Sequence, residues 1–181
     1  MPVTITIPGR DLFDEANQRF ISIKTQTLSF EHSLLSISKW ESKWHKPYLT
    51  RDTKTDEENY DYFRCMCLTP NVDPNVFLGL TRQNINDLAA YISDPMTATT
   101  FNKKDQKPSR EIITNELVYY WMTQLNIPFD PCQKWHFNRL MTLIEVASIK
   151  SQPSKKMKPG EVLRQNHSLN AARRARLHSK G

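Results

Sequence analysis

Two groups of residues have the types and spacing that chemistry would need. Cys132 and His136 stand four residues apart, so on one helix the thiol and the imidazole would lie on the same face. A cysteine nucleophile needs an imidazole within hydrogen-bond reach, and the first turn of a helix would acidify the thiol. Cys65 and Cys67 supply two further thiols, but the set lacks the two short-spaced ligand pairs of a zinc finger.

The sequence around these residues does not complete a catalytic site. No oxyanion-hole loop or orienting carboxylate accompanies Cys132 and His136. Gly79 is the only glycine between Gly9 and Gly160, which excludes a glycine-flanked nucleophile elbow and a glycine-rich phosphate loop. We therefore interpret the thiols as reduced and buried, and expect no catalytic residue, no metal and no cofactor. An enzyme that uses the thiol–imidazole pair is a minority alternative.

The positive charge of the chain is concentrated at its carboxy terminus. The 181 residues carry a net charge of +6, yet residues 151–181 contain eight Lys or Arg and one acidic residue, and residues 1–150 are close to neutral. The densest cluster is Arg173, Arg174 and Arg176. Such a cluster binds phosphates in a salt-dependent way, but no aromatic side chain is interleaved with it to stack bases. Nucleic acid binding through this tail therefore remains an alternative, beside a solvated tail or docking on an acidic protein.

The amino-terminal residues show the period of β-strands. Val3, Ile5 and Ile7 alternate with threonines, and residues 19–30 again mix apolar, β-branched and hydroxyl side chains. A polar stretch that follows Gly9 separates the two segments. We predict one small antiparallel hairpin.

Apolar residues then recur at helical spacing through most of the chain. The pattern predicts helices over about 33–45, 56–68, 81–94, 111–126 and 131–150. The fold class is therefore α+β and mostly helical. We expect residues 1–150 to form one globular domain, in which the hairpin packs on a bundle of four to five helices. Residues 151–181 begin with linker composition and are expected to form a flexible basic tail or a helix that a partner orders.

Two tryptophans in the first of these helices raise the question of a binding surface. Leu34, Ile37, Trp40 and Trp44 share one helical face, which favours a core position for at least one tryptophan. Trp44 is near the end of the helix, just before a proline, where Tyr48 can join it. Trp44 and Tyr48 are therefore candidate partner-binding residues, as are the three tail arginines.

Several segments in this order resemble a family of bacteriophage proteins encoded in tail-gene clusters, the tail assembly chaperones. The segments are SKWESKWHKPYL (38–49), PMTATT (95–100), EIITNELVYYWM (111–122), NIPF (126–129), WHFNRL (135–140) and NAARR (170–174).

The resemblance implies a role without catalysis. Such a chaperone binds the long helical tape measure protein and recruits tail tube subunits around it while the tail is built in the host cell cytoplasm. A structural component of the virion is the alternative within the same gene cluster, and a homo-oligomer is left open. No apolar run approaches the roughly 20 residues needed to cross a bilayer, so we expect no membrane partner.

Overall fold

A computed structural model describes most of the chain and confirms the mostly helical α+β class. It describes residues 2–14, 18–50, 52–101, 111–151 and 159–177. The chain divides into two compact units, Met1–Ile149 and Lys150–Gly181. The linker predicted after residue 151 falls largely outside the described residues.

The amino-terminal strands form one long ribbon in two parts. Strand β1 (Val3–Ile7) pairs with β4 (Gln26–Phe30), and β2 (Arg10–Asp14) pairs with β3 (Arg19–Ile23), both antiparallel. The same register continues across the interruption, because Ile7 is opposite Gln26 and Arg10 is opposite Ile23. The predicted hairpin is thus confirmed. The polar stretch after Gly9, however, is itself a strand and lengthens the hairpin.

The two parts of the ribbon bury opposite faces. In the inner part Ile7 faces the core, whereas in the outer part the buried residue is Ile23, on the other face. Both contact Gly79, where an added Cβ would lie 2.9 Å from Ile7 Cγ2 and 3.2 Å from Ile23 Cδ1. The ribbon therefore wraps around this glycine. Phe13 and Phe20, paired across the outer strands, remain exposed.

The helices of the first unit follow the ribbon and enclose one core. They are α1 (Leu34–Trp44), α2 (Asp56–Met66), a 3₁₀ helix (Pro74–Gly79), α3 (Arg82–Ser93), α4 (Asn115–Gln124), α5 (Phe129–Cys132) and α6 (Phe137–Ser151). Capping boxes at Ser33, Thr55 and Thr81 define the starts of α1, α2 and α3, where the predicted boundaries are confirmed to within a residue. The second unit contains α7 (Pro159–Leu177). None of the helices in the described ranges is long and apolar enough to span a membrane.

Two helix starts were predicted wrongly, and tertiary contacts lie at both. Residues 131–150 do not form a single helix, because α5 ends at Cys132 and α6 begins at Phe137. Between them His136 forms an isolated bridge with Ser33, and the Phe137 amide donates a 2.6 Å hydrogen bond to the His32 carbonyl. The chain entering α6 is thus bound to the segment that precedes α1. Similarly, α4 begins at residue 115 rather than 111.

Candidate binding cleft

Helix α1 holds α2 in place through its two tryptophans. The Trp40 indole N–H donates a 2.9 Å hydrogen bond to the Glu58 carbonyl, and the Trp44 indole N–H donates one of the same length to Asp61 Oδ2. The two indoles stack with centroids 6.1 Å apart. Trp40 is fully buried, as predicted for at least one of the pair, whereas Trp44 is half-buried. Both bind within this chain, so neither indole ring is a free stacking platform.

Tyr48 continues the same aromatic cluster beyond the end of α1. Its ring stacks on Tyr62 of α2 with centroids 3.9 Å apart and lies edge-on to Trp40 at 5.2 Å. The Lys54 ammonium sits 4.7 Å from the Tyr48 ring centroid, a cation–π distance. Burial raises the pKa of the Tyr48 hydroxyl, which therefore stays protonated at neutral pH.

The Glu41 carboxylate fixes the geometry of the segment that carries Tyr48. Glu41 Oε1 accepts a 2.7 Å hydrogen bond from the Tyr48 amide. Oε2 accepts bonds from the Asn115 amide at 2.8 Å and from its side-chain Nδ2 at 2.6 Å. Thr114, the residue that precedes α4, makes no side-chain capping bond, so the carboxylate of another helix binds the first amide of α4 instead. One buried anion thus joins α1, the Tyr48 turn and α4.

An open cleft of about 500 Å³ lies between α2 and α3. One wall comes from α2 and presents Asp56, Asn59, Tyr60 and Phe63, which stand at i, i+3, i+4 and i+7. The opposite wall comes from α3 and presents Ile85, Ala89, Ile92 and Ser93, again at helical spacing. Tyr48 and Tyr62 complete the lining. Each wall is therefore one stripe of a helix.

The apolar stripe of α3 is only partly covered. The sequence assigns Ile85, Leu88, Ala89 and Ile92 to one apolar face, which such a pattern normally buries in a core. Leu88 is fully buried, but Ile85 and Ile92 are half-buried and Ala89 is exposed along the cleft. A face with core composition is thus left open to solvent between two helices.

Buried polar residues lie behind this cleft. The Tyr62 hydroxyl and His32 Nδ1 are 2.5 Å apart, and the Tyr91 hydroxyl donates a 2.5 Å bond to Glu31 Oε1. Burial is the main cause that lowers the pKa of His32 to about 3, with a smaller repulsion from His136. His32 is therefore neutral at physiological pH.

The thiol–imidazole pair of the minority alternative, Cys132 and His136, does not form. His136 Nε2 is bonded to the Tyr91 carbonyl at 3.0 Å, while Nδ1 is buried with no hydrogen-bond partner. Cys132 lies in a different helix from the one His136 precedes, because the chain breaks between α5 and α6. The imidazole accordingly makes no hydrogen bond with the thiol.

The other thiols lie in surroundings that oppose reactivity. Burial raises the pKa of Cys65 to about 11 and also raises that of Cys67, so both thiols are protonated at neutral pH. Within the residues that the structure describes, no group of three or more His, Cys, Asp or Glu side chains could hold a metal ion.

The sequence-predicted partner residues belong to both units of the chain. Tyr48 lines the α2–α3 cleft, Trp44 lies outside its lining, and Arg173, Arg174 and Arg176 are exposed on α7 in the second unit. Sequence reasoning did not identify the cleft itself. Its signal was present in two stripes at helical spacing, a largely apolar one on α3 and a mixed polar and aromatic one on α2, but a stripe alone does not say whether another element covers it.

Comparisons with protein-family models, with curated proteins and with solved structures found no match to this chain.

Proposed function

We propose that this protein is an assembly chaperone that holds an apolar helical segment of a partner protein in the α2–α3 cleft. The observation that carries the proposal is the pair of facing helical stripes with an apolar surface between them. Two parallel ridges of side chains leave a groove into which the ridge of a third helix fits. Binding of an amphipathic helix in an apolar groove is a recurring mode of peptide recognition.

The dimensions of the walls define what the cleft accommodates. The α2 stripe extends over eight residues from Asp56 to Phe63, and the seven steps between them span about 10 Å at about 1.5 Å per residue. About two turns of a partner helix fit this length, which corresponds to three or four apolar anchors at i, i+3 or i+4, and i+7. Tyr62 and Phe63 form a buried base, and the Asp56 carboxylate provides a polar edge.

On the resemblance to tail assembly chaperones, we take the helix bound in the cleft to be a segment of the tape measure protein. A tape measure protein is long and helical and exposes apolar stripes until tail tube subunits surround it. A chaperone that covers two turns at a time shields such a stripe reversibly, and tube subunits can then displace it. In this proposal Tyr48 contacts the partner directly. Trp44 acts indirectly, because its hydrogen bond to Asp61 positions α2.

Co-expression with the tape measure protein of the same phage tests the proposal. Ala89→Arg places a long charged side chain in the cleft at an exposed position of α3. Ala90→Arg is the matched control, because it adds the same side chain at the neighbouring exposed position, which does not line the cleft. We expect the wild type and Ala90→Arg to keep the tape measure protein soluble and to co-purify with it, and Ala89→Arg to lose both effects.

Two outcomes would contradict the proposal. If Ala89→Arg still co-purifies with the tape measure protein, the cleft is not the binding site. If the wild type does not co-purify, the chaperone role fails as a whole. Detection of the protein in purified virions, at the copy number of a tail component, would instead favour the structural alternative.

A further inference from the structure

The described side chains of the basic helix α7 form no apolar stripe. Two of its leucines, Leu163 and Leu169, are 70% and 51% exposed. They are six residues apart, so at about 100° per residue they lie about 120° apart around the helix and do not align. A helix without an apolar stripe does not bind by insertion into an apolar groove. Its interactions must therefore come from polar and charged groups.

Four exposed hydrogen-bond donors share one side of this helix. Asn166, Asn170, Arg173 and Arg174 stand at i, i+4, i+7 and i+8, and all four side chains are exposed. At about 100° per residue they lie within an arc of about 100°, and no other residue from 166 to 174 falls inside it. We call these four residues the donor face. It includes no carboxylate.

The chemistry of the donor face matches a phosphate backbone. Arginine guanidinium groups bind phosphate oxygens through two parallel hydrogen bonds, and asparagine amides are common additional phosphate contacts. Two arginines at the end of a helix also complement its dipole. That effect does not explain why two asparagines continue the same face toward the amino terminus.

We propose that the donor face of α7 binds the phosphate backbone of nucleic acid without sequence preference. The complementary charge of the surrounding residues supports this partner, since residues 151–181 contain eight cationic side chains and a single acidic one. No aromatic residue occurs in that range, so contact is made with phosphates and not by stacking on bases. This activity is separate from the helix-binding cleft and does not depend on it.

Charge-matched pairs of substitutions in the full-length chain test the proposal. Arg173→Gln with Arg174→Gln removes two arginines from the donor face. Arg164→Gln with Arg176→Gln removes two exposed arginines of the same helix, each more than about 100° from the centre of that face. Binding of a short fluorescent duplex and of a single strand is measured by anisotropy over a range of salt concentrations.

The donor-face pair should weaken binding by on the order of 10-fold at low salt and lower the slope of log K against log salt concentration by about 1.8, or about 0.9 per phosphate contact. The control pair should weaken it by no more than about 2-fold, through overall charge alone. Arg173→Lys with Arg174→Lys should keep most of the salt slope, because it keeps the charge. Similar binding of duplex and single strand is expected from backbone contacts.

Three results would overturn the proposal. Equal losses from the two pairs would mean that charge alone binds and that the donor face has no role. No loss from either pair would remove α7 from the interaction. If polyglutamate of matched charge competes as well as DNA, the helix recognises acidic protein surfaces and not phosphates.

Discussion

Helices α1 and α7 differ in both the share and the arrangement of their apolar residues. Five of the eleven residues of α1 are large and apolar, against four of the nineteen in α7. In α1 these residues align, and Leu34, Ile37 and Trp40 are fully buried. In α7, Leu163 and Leu169 lie about 120° apart around the helix and are exposed. The share and the alignment of the apolar residues together determine which helix belongs to a core.

The ends of α1 are also fixed by hydrogen bonds. Ser33 and Ser36 form a reciprocal capping box at the start of α1, and His45 ends it in a left-handed conformation with its amide bonded to the Glu41 carbonyl. Helix α1 is thus bound at both ends and along one face. The described side chains of α7 are exposed, so packing by them adds little to the intrinsic propensity of this helix. Helix α1 supports the cleft through its hydrogen bonds to α2, and α7 presents exposed polar groups.

The largest expected effect comes from truncating the most buried tryptophan. Trp40→Ala removes a fully buried indole together with its hydrogen bond to the Glu58 carbonyl, so we expect a loss of about 3–5 kcal/mol in the free energy of unfolding. Leu169→Ala in α7 should cost less than about 0.5 kcal/mol, because half of that side chain is already exposed. Urea unfolding followed by tryptophan fluorescence measures both. Equal losses would refute the contrast between the two helices.

A second large effect is expected at the carboxylate that binds α1 to α4. Glu41→Ala leaves the amides of Tyr48 and Asn115 without their acceptor in a buried site, so we expect a loss of about 2–3 kcal/mol. Glu57→Ala, an exposed carboxylate in the first turn of α2, should cost less than about 1 kcal/mol. Glu41→Gln, which keeps one acceptor oxygen, should fall between them. A Glu41→Ala protein as stable as the Glu57 variant would show that α4 does not depend on this carboxylate.

The sequence predicted most of the secondary structure because local signals determine it. The serine and threonine caps at residues 33, 55 and 81 mark helix starts within the sequence itself, and alternation in residues 3–7 marks a strand. The start of α6 was predicted wrongly, because the bridge between Ser33 and His136 joins residues 103 apart in sequence. The α4 boundary likewise depends on an acceptor in α1. Neither contact has a local signature.

The candidate sites were less predictable for a related reason. The stripes of α2 and α3 were visible as helical faces, but whether they meet each other or enclose a cleft depends on the long-range arrangement. Tyr48 was identified because it follows a proline-terminated helix, and Trp44 because it shares the α1 face. The indole of Trp44 nevertheless donates to Asp61, a pairing between elements that spacing alone does not reveal.

Acid should destabilise the packing around α1 through His32, which lies just before this helix. His32 titrates near 6.5 in the unfolded chain, whereas burial lowers its folded pKa to about 3. Between these values the unfolded state binds more protons, so the free energy of unfolding falls as the pH decreases from about 6.5 toward 3. Within this pH range the free energy of unfolding changes by about 1.4 kcal/mol per pH unit because of His32. The stability that neutral His32 provides is fully present above this range.

Comparison of two histidine substitutions isolates the contribution of His32 to the pH dependence of stability. His32→Asn should flatten the dependence of unfolding free energy on pH between about 6 and 4, whatever its cost at neutral pH. His167→Asn, at an exposed position of α7, should leave the slope unchanged. The lowered pKa of buried His136 adds a parallel term, which the nearby carboxylates Glu31 and Asp94 reduce. An unchanged slope in His32→Asn would show that this imidazole is not the source of acid sensitivity.

The smallest expected effect tests whether each of the two helices, α1 and α7, unfolds together with the core in one cooperative transition. Lys39→Gly at an exposed position of α1 should reduce the free energy of unfolding by about 0.5–1 kcal/mol, because glycine is a poor helix former. Ala171→Gly, the same kind of change at an exposed position of α7, should lower the far-ultraviolet helical signal and leave the fluorescence-detected urea midpoint unchanged. Glycine lowers the intrinsic helix propensity of both helices. The free energy of global unfolding changes only if the substituted helix is packed on the core and unfolds with it. A shifted midpoint in Ala171→Gly would mean that α7 unfolds together with the core.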